Sequence, residues 1–485
     1  MKTSSVTRLV RHRVVHLALA IGLAGLLLAA LWLGLVEMAP AQADAGIRYV
    51  ASDGDDSKLC DSIANRCRTV QRAIDVAQSF EEIRVAAGIY IDATGTVAAI
   101  NKTVTLKGGY ESTFNEATRD PSANPTILDA LQAGAVISIT GYVSPTVDGF
   151  TITGGKAPDG GGLHIYDASP IIQNNVITAN LTITSGTYAD GRGGGIYVGG
   201  TSYAIIAENL VLNNRSGYGG GIYHIGSTAI TITANEITGN VVTHRAGGIL
   251  LENFPPDFIQ ANVISGNIAA EDGGGMLIWH AAPQVEANHI AGNSARSGGG
   301  ISLGNNATPR LLNNLVISNT RDGILVGSSS PVVVNNTIVG SGLTNSRHGI
   351  YLSSSPGCTP PYCTTGDIIN NIVISYEVGI FGTGPITPAI DYNDVWGNTT
   401  ADYSLPAGVV TDTHNISLDP LFVDPANDDY HLRAGSPCID AGTDAGVMTD
   451  IDGDPRPMGV GVDIGADEYH RYTIYLPLVM KSYTN

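Results

Sequence analysis

Five residues in the second half of the chain have the types needed to act on a charged sugar: Asp272, Arg321, Asp322, Arg347 and His348. Removing a proton beside a uronate carboxylate takes a cation to neutralise that carboxylate and a base to accept the proton. Hydrolysis instead takes two carboxylates facing one another across the glycosidic bond. Arg321-Asp322 and Arg347-His348 stand 26 positions apart, and Asp272 lies 50 positions before Asp322. If that interval equals one level of a repeating fold, the two dipeptides meet within reach of one sugar ring and Asp272 stands two levels away.

A second set suits binding. Tyr197, Tyr223, Leu250, Leu277, Ser302, Leu325 and Tyr351 each follow an isoleucine or methionine of a glycine-led apolar run, with His164 at the matching place one level earlier. Strand alternation points the first residue of each pair inward and the second outward. Such a row is expected to form an exposed stripe suited to the apolar faces of sugars, with Trp279 just beyond it. Arg192, Arg245, Arg296, Arg321 and Arg347 recur in the turn before the same runs, and guanidinium forks match carboxylates. The expected carbohydrate-binding residues are Tyr197, Tyr223, Trp279, Arg296 and Tyr351. Cross-strand packing and Arg–carboxylate pairing are the competing uses of the same side chains.

Asp450-x-Asp452-Gly-Asp454 resembles the opening of a calcium loop, although Gly461 stands where the closing Glu belongs. Calcium at Asp450, Asp452 and Asp454 is the one cofactor expected. Of five cysteines, Cys60 and Cys67 are seven apart and Cys358 and Cys363 five apart, so each pair can close a local disulfide in an oxidising compartment, with Cys438 left over. No His stands at ligand spacing beside them for zinc.

The elements that must hold these residues are repeats. Asn175-Val-Ile-Thr-Ala-Asn180 returns from Asn209, Asn235, Asn262, Asn288 and Asn314, with weaker copies from Asn336, Asn371 and Asn393, at intervals of 22 to 35 residues. Glycine runs at 160–162, 193–195, 219–221, 247–248, 273–275 and 298–300 alternate with it. Each period holds short strands and turns and no helical pattern, which excludes βαβ folds and is too short for a four-stranded propeller blade. The pattern predicts a right-handed parallel β-helix, an all-β solenoid of about 12 coils stacked at roughly 4.8 Å. Ile and Val at one phase fill the core, Asn side chains bridge coils in one turn, and Gly admits close approach in another.

An open solenoid needs a cap, and Val70, Ala73, Ile74 and Ala77 lie on one face of a short N-terminal capping helix. The expected organisation is 1–43 a signal peptide or N-terminal membrane anchor, 46–84 an N-terminal cap, 85–400 the parallel β-helix, 401–470 a C-terminal module packed on the last coils, and 471–485 a tail. Lys2, Arg8, Arg11 and Arg13 precede the apolar run Leu17 to Val36, and Ala41-Gln42-Ala43 fits a cleavage site. The net charge of −19, with 25 basic and 44 acidic residues, argues against nucleic acid as a partner, and neither a P-loop nor a dinucleotide fingerprint is present.

The alternating Gly-Gly-Gly-Ile and Asn-Asn-x-Ile elements resemble right-handed parallel β-helix proteins of the pectate-lyase-like superfamily over residues 46–400. Ile47-Arg-Tyr-Val-Ala-Ser-Asp-Gly54, Thr69-Val-Gln-Arg-Ala-Ile74 and Ile83-Arg-Val-Ala-Ala-Gly-Ile-Tyr90 are similar to their opening. Residues 417–469, with Asp452-Gly-Asp-Pro-Arg456 and Asp463-Ile-Gly-Ala-Asp-Glu468, look like a C-terminal module of secreted bacterial β-helix proteins. The superfamily's polygalacturonase elements survive only as the fragments Asn319-Thr-Arg-Asp322 and Arg347-His-Gly349. The resemblance implies a secreted or cell-surface bacterial protein with a polysaccharide or glycan partner. The reading is a carbohydrate-associating β-helix without demonstrable catalysis. The alternatives are a polysaccharide lyase or glycoside hydrolase acting on an acidic polysaccharide, and an adhesive or structural surface protein.

Overall fold

Stacked β-branched residues generate the architecture. Every Ile or Val at the expected phase, from Ile177 through Ile264 to Val395, is fully buried, and each pairs in register with its equivalent on the next coil. The computed structural model describes residues 46–470 except 93–94, 184–190, 254–255, 343–345, 359–362, 410 and 412. The expected export segment and the tail lie outside these.

Three long parallel sheets wrap one core. Sheet A has 13 strands, from Ile47–Val50 to Ala389–Asp391; sheet B has 12, from Gly88–Ile91 to Asp394–Trp396; sheet C has 12, from Ala98–Ile100 to Ala401–Ser404. A five-stranded sheet D, from Lys156–Ala157 to Ile268–Ala269, is inserted between B and C in five middle coils, before the third to seventh strands of sheet C. The chain is therefore an all-β parallel β-helix of about 12 coils, as its repeats predict.

The asparagines form the expected ladder. From Asn175 through Asn209, Asn235, Asn262, Asn288, Asn314, Asn336, Asn371 and Asn393 to Asn415, each Nδ2 donates to the next Oδ1 at 2.9–3.0 Å. Each of these Oδ1 atoms also accepts the backbone N–H of the preceding rung, so amide groups that the bend would strand inside are paired. A second ladder runs from Asn180 to Asn319 and stops there. At the glycine turns, a Cβ on Gly220 or on Gly274 would lie 2.5 Å from the carbonyl oxygen of the next coil, so no side chain fits.

One helix of seven residues, Val70–Val76, lies over the open N-terminal end with Val70, Ala73 and Ile74 buried, and its N-cap Thr69 accepts from the N–H of Arg72. The disulfide Cys60–Cys67 stands beside it. At the other end, the antiparallel pair Phe422–Asp424 and Asp429–Leu432 packs with Cys438 and Ile464 against Ile317, Val339, Ile372 and Ile374. Asn313, Asn335 and Asn370, at the corner of the last coils, dock the C-terminal segment: Asn335 and Asn370 donate to the carbonyls of Asp463 and Thr443 at 3.0 and 2.7 Å. Arg456, wholly buried, pairs with Glu468 at 2.8 Å and donates to Asn313 at 3.3 Å.

Candidate functional site

The face of sheet C divides into a covered half and an open half. Tyr197 and Tyr223 stack on the outer side in register, as expected, but they are only 6% and 3% exposed, and Leu250, Leu277 and Ser302 are buried with them. The expectation of an exposed aromatic stripe fails for these residues because sheet D and its turns close over them. The guanidinium of Arg192 lies 5.7 and 5.9 Å from the two tyrosine rings, and that of Arg245 lies 5.4 Å from Trp279. The Tyr223 hydroxyl is taken by Glu252. Sheet D ends at Ala269, and farther along the row Leu325, Tyr351 and Phe381 are part-exposed.

Chemistry-bearing side chains occupy that open half because the glycine run changes there. Gly298-Gly-Gly-Ile301 is followed one coil later by Arg321-Asp-Gly-Ile324 and then by Arg347-His-Gly-Ile350. Asp322 and His348 thus stand where the middle glycine of other coils cannot carry a Cβ. Arg321 keeps the left-handed backbone of the glycine it replaces, with φ of 66°, an arrangement that costs a non-glycine residue about 1–2 kcal/mol. The second asparagine ladder ends two residues earlier, at Asn319. In the later coils Ser341 and the fully buried Tyr376 take its place.

Asp322 and His348 pair in register, and Nδ1 of His348 lies 2.6 Å from Oδ1 of Asp322. The carboxylate is 4% exposed, and its Oδ2 accepts the N–H of Gly298 at 3.0 Å, which fixes its plane. A carboxylate on Nδ1 selects the tautomer in which Nε2 is the acceptor. Nε2 has no hydrogen-bond partner among the described residues. The imidazole is stacked on Phe381 with centroids 4.5 Å apart and leans on Tyr351 at 5.0 Å, so its orientation is held from two sides.

The arginines divide the same way. Arg192 pairs with Asp159 at 3.0 Å, and Arg245 with Glu271 at 2.9 Å and Asp272 at 3.4 Å. Arg296, Arg321 and Arg347 form no ion pair with any described residue; the Nε of Arg321 donates to the carbonyl of Arg296 at 2.8 Å. Arg321 and Arg347 thus stand directly before the two dyad residues without a carboxylate partner, while the charge of Arg296 is felt by Asp272. Asp272 stands two coils away and is pushed above the usual carboxylate range by burial, against the pull of Arg245.

Another His–Asp pair escapes a reading of the sequence. His224 and Asp257 meet at 3.0 Å inside the coil, both fully buried, and no sugar reaches them there. They arise from an inward strand position and a turn residue whose neighbours are apolar, so nothing repeats to mark them.

The acidic run at 450–454 does not converge as a calcium loop. Asp450 accepts the N–H groups of Asp452, Asp454 and Glu468, capping its own turn. Ligand atoms come together instead at His431, Asp452 and Asp467, within 4.8 Å of one another. His431 is hydrogen-bonded to Asp452 and Asp429, which with burial opposing raises it to about 10. The group of His431, Asp452 and Asp467 offers three ligand atoms, two of them carboxylate oxygens, fewer than the roughly six to eight oxygens that calcium takes. The expected disulfides Cys60–Cys67 and Cys358–Cys363 are both formed, and Cys438 is free and buried.

Two overlapping stretches, residues 87–255 and 220–387, match the family described as right handed beta helix region. The chain belongs to that family. This right-handed β-helix is similar in fold to a pectate lyase Pel9A, at 14% identity over 89% of this chain and 98% of that one, with a TM-score of 0.45. It is also similar to XylC in complex with xylose, at 11% identity over 78% and 87% with a TM-score of 0.47, and to the periplasmic alginate epimerase AlgG, at 14% over 70% and 77% with a TM-score of 0.36. These likenesses are of coil architecture alone. Among curated proteins, none matches the chain.

Proposed function

We infer that this β-helix protein is an exported enzyme that cleaves an acidic polysaccharide by β-elimination at the open half of sheet C. The observation that carries this reading is the Asp322–His348 dyad, set in place of two glycines with Arg321 and Arg347 directly before it in the two strands. A uronate carboxylate against Arg321 and Arg347 loses its charge to them, which acidifies the adjacent carbon. His348 Nε2 takes the proton from that carbon, the electron pair forms the C4=C5 double bond, and the C4–O glycosidic bond breaks. The proton on His348 then passes to the departing oxygen, so no co-reactant is consumed. Asp322 holds the imidazole tautomer and faces the positive charge that forms on it.

Export is supported by the basic and apolar start of the chain and by two disulfides. Among the described residues no helix is long and apolar enough to cross a membrane. N-terminal sequencing of the exported protein should begin near Asp44, while an intact Met1 would indicate the anchored form.

A hydrolytic reading has one observation behind it: Asp272, kept protonated more readily by burial, stands about 10 Å along the axis from Asp322. Product analysis separates the two. Incubation with polygalacturonate, alginate and unsulfated glycosaminoglycans should yield the ultraviolet absorbance of an unsaturated uronate, and His348→Ala should abolish it. New reducing ends without that absorbance would mean hydrolysis, and neither product would leave a protein that only binds or coats.

A further inference from the structure

Near the N-terminal end of sheet C, where sheet D begins, the outer face hollows into a cavity of about 340 Å³. The strands Ile137–Thr140 and Leu163–Tyr166 present Ser138 and His164 as its floor; Thr96, Ala157, Pro158 and Asp159 form its walls. This volume lies at the small end of ligand pockets and is adequate for one sugar ring.

We propose that this hollow is a binding site for a neutral pyranose. The proposal goes beyond the lyase reading and does not depend on it, because the hollow lies seven sheet C strands from His348, roughly 34 Å along the axis. Its polar groups are those that read hydroxyls. Neither ring nitrogen of His164 has a hydrogen-bond partner among the described residues, and the ring is fixed by stacking on Tyr197 at 5.4 Å and beside Tyr166 at 6.3 Å. Burial lowers the basicity of His164, which leaves one donor and one acceptor nitrogen on a neutral ring. The hydroxyls of Thr96 and Ser138 can each donate or accept. The methyl of Ala157 and the ring of Pro158 offer an apolar wall to the C–H face of a sugar.

Charge decides against an acidic ligand. Asp159 is the carboxylate in the hollow, and Arg192 compensates it at 3.0 Å from behind, where that guanidinium is also spread over Tyr197 and Tyr223. A uronate entering here would meet a carboxylate and no free cation, the reverse of the arrangement around His348. One face thus offers a neutral site and a cationic site at its two ends.

The test uses the full chain and the methyl glycosides of glucose, galactose, mannose, xylose and N-acetylglucosamine, with methyl galacturonoside as comparator, followed by NMR titration and calorimetry. Ser138→Tyr fills the hollow with the residue type that the same row already stacks at 197 and 223, so folding is expected to persist; equal melting temperatures check this. At least one neutral glycoside should bind, and Ser138→Tyr and His164→Ala should each weaken it about tenfold or more, the loss of one or two hydrogen bonds. His348→Ala should leave it unchanged. Binding of no neutral glycoside, preference for the uronide, or unaltered affinity in folded Ser138→Tyr would overturn the proposal. Loss of lyase activity with retained glycoside binding would bear only on the dyad.

Discussion

The thiol of Cys438 donates to Oδ2 of Asp394 at 3.2 Å, joining the C-terminal segment to the last strand of sheet B. Burial raises Asp394 to about 6, Asp450 to about 6 and Asp463 to about 7. In the unfolded chain these carboxyls ionise near pH 3.9. Between about pH 4 and 7 the folded protein therefore holds protons the unfolded chain has released, and stability falls as pH rises through that window. Thermal unfolding followed from pH 4.5 to 7.5 should show that decline. Asp394→Asn should flatten it, and an unchanged slope would sink the assignment.

Asp322→Asn keeps the volume of the side chain but confronts His348 Nδ1 with an amide able to donate, which favours the wrong tautomer. Turnover on the cleaved polyuronate should fall by about 100-fold or more, with KM little altered. Arg347→Ala should also lower kcat, because its charge offsets the one that develops on the uronate in the transition state. Equal activity of Asp322→Asn and parent would remove the dyad from the mechanism.

Arg321 is strained where six other coils place Gly or Ala at φ between 57° and 70°. Arg321→Gly should therefore raise stability by about 1 kcal/mol while lowering kcat/KM on a polyuronate. Chemical unfolding and kinetics on the same preparation measure both. Lower stability would show that the conformation is not a cost.

Asn262 Nδ2 donates to Asn288, Ile232 and Gln260 at 2.9–3.0 Å, while Oδ1 accepts from Asn235. Asn262→Ala should cost about 1–3 kcal/mol, because it strands buried groups on both neighbouring coils. Unaltered denaturant midpoints would contradict a load shared through the ladder.

Tyr223→Ala distinguishes the covered row from a sugar platform. Since Tyr223 is buried beneath Arg192, its loss should destabilise the protein by about 3 kcal/mol and leave polyuronate affinity at the open half nearly unchanged. Affinity electrophoresis beside thermal melts gives the comparison.

Coil stacking was legible because Ile177, Asn175 and Gly194 have equivalents in coil after coil, and a repeated role leaves a repeated letter. The cover over Tyr197 and Tyr223 was not, since the recurring arginines of the sheet D turns, Arg192 and Arg245, read equally well as exposed carboxylate ligands. Alternation marks which side of a strand a residue takes, but not what lies above that side. Asp322 and His348 could be grouped from their spacing. What the spacing lacked was the reason for the place: the middle position of the turn stays glycine through the coils that carry sheet D and takes a side chain beyond them. Asp450 looked like a cation ligand because a carboxylate capping its own turn and one turned toward an ion share the same short pattern.

The ladder from Asn175 to Asn415 joins rungs separated by 22 to 35 residues with the same geometry throughout. Such a joint counts levels and ignores the length of chain between them. Excising residues 236–262 would bring Asn235 directly before Val263 and against Asn288, mating two surfaces that already have the same shape. Rod length is then an adjustable quantity, and with it the span between the hollow at His164 and the dyad at His348: one coil removed shortens that span by a single strand spacing, about 4.8 Å, and leaves both ends as they were.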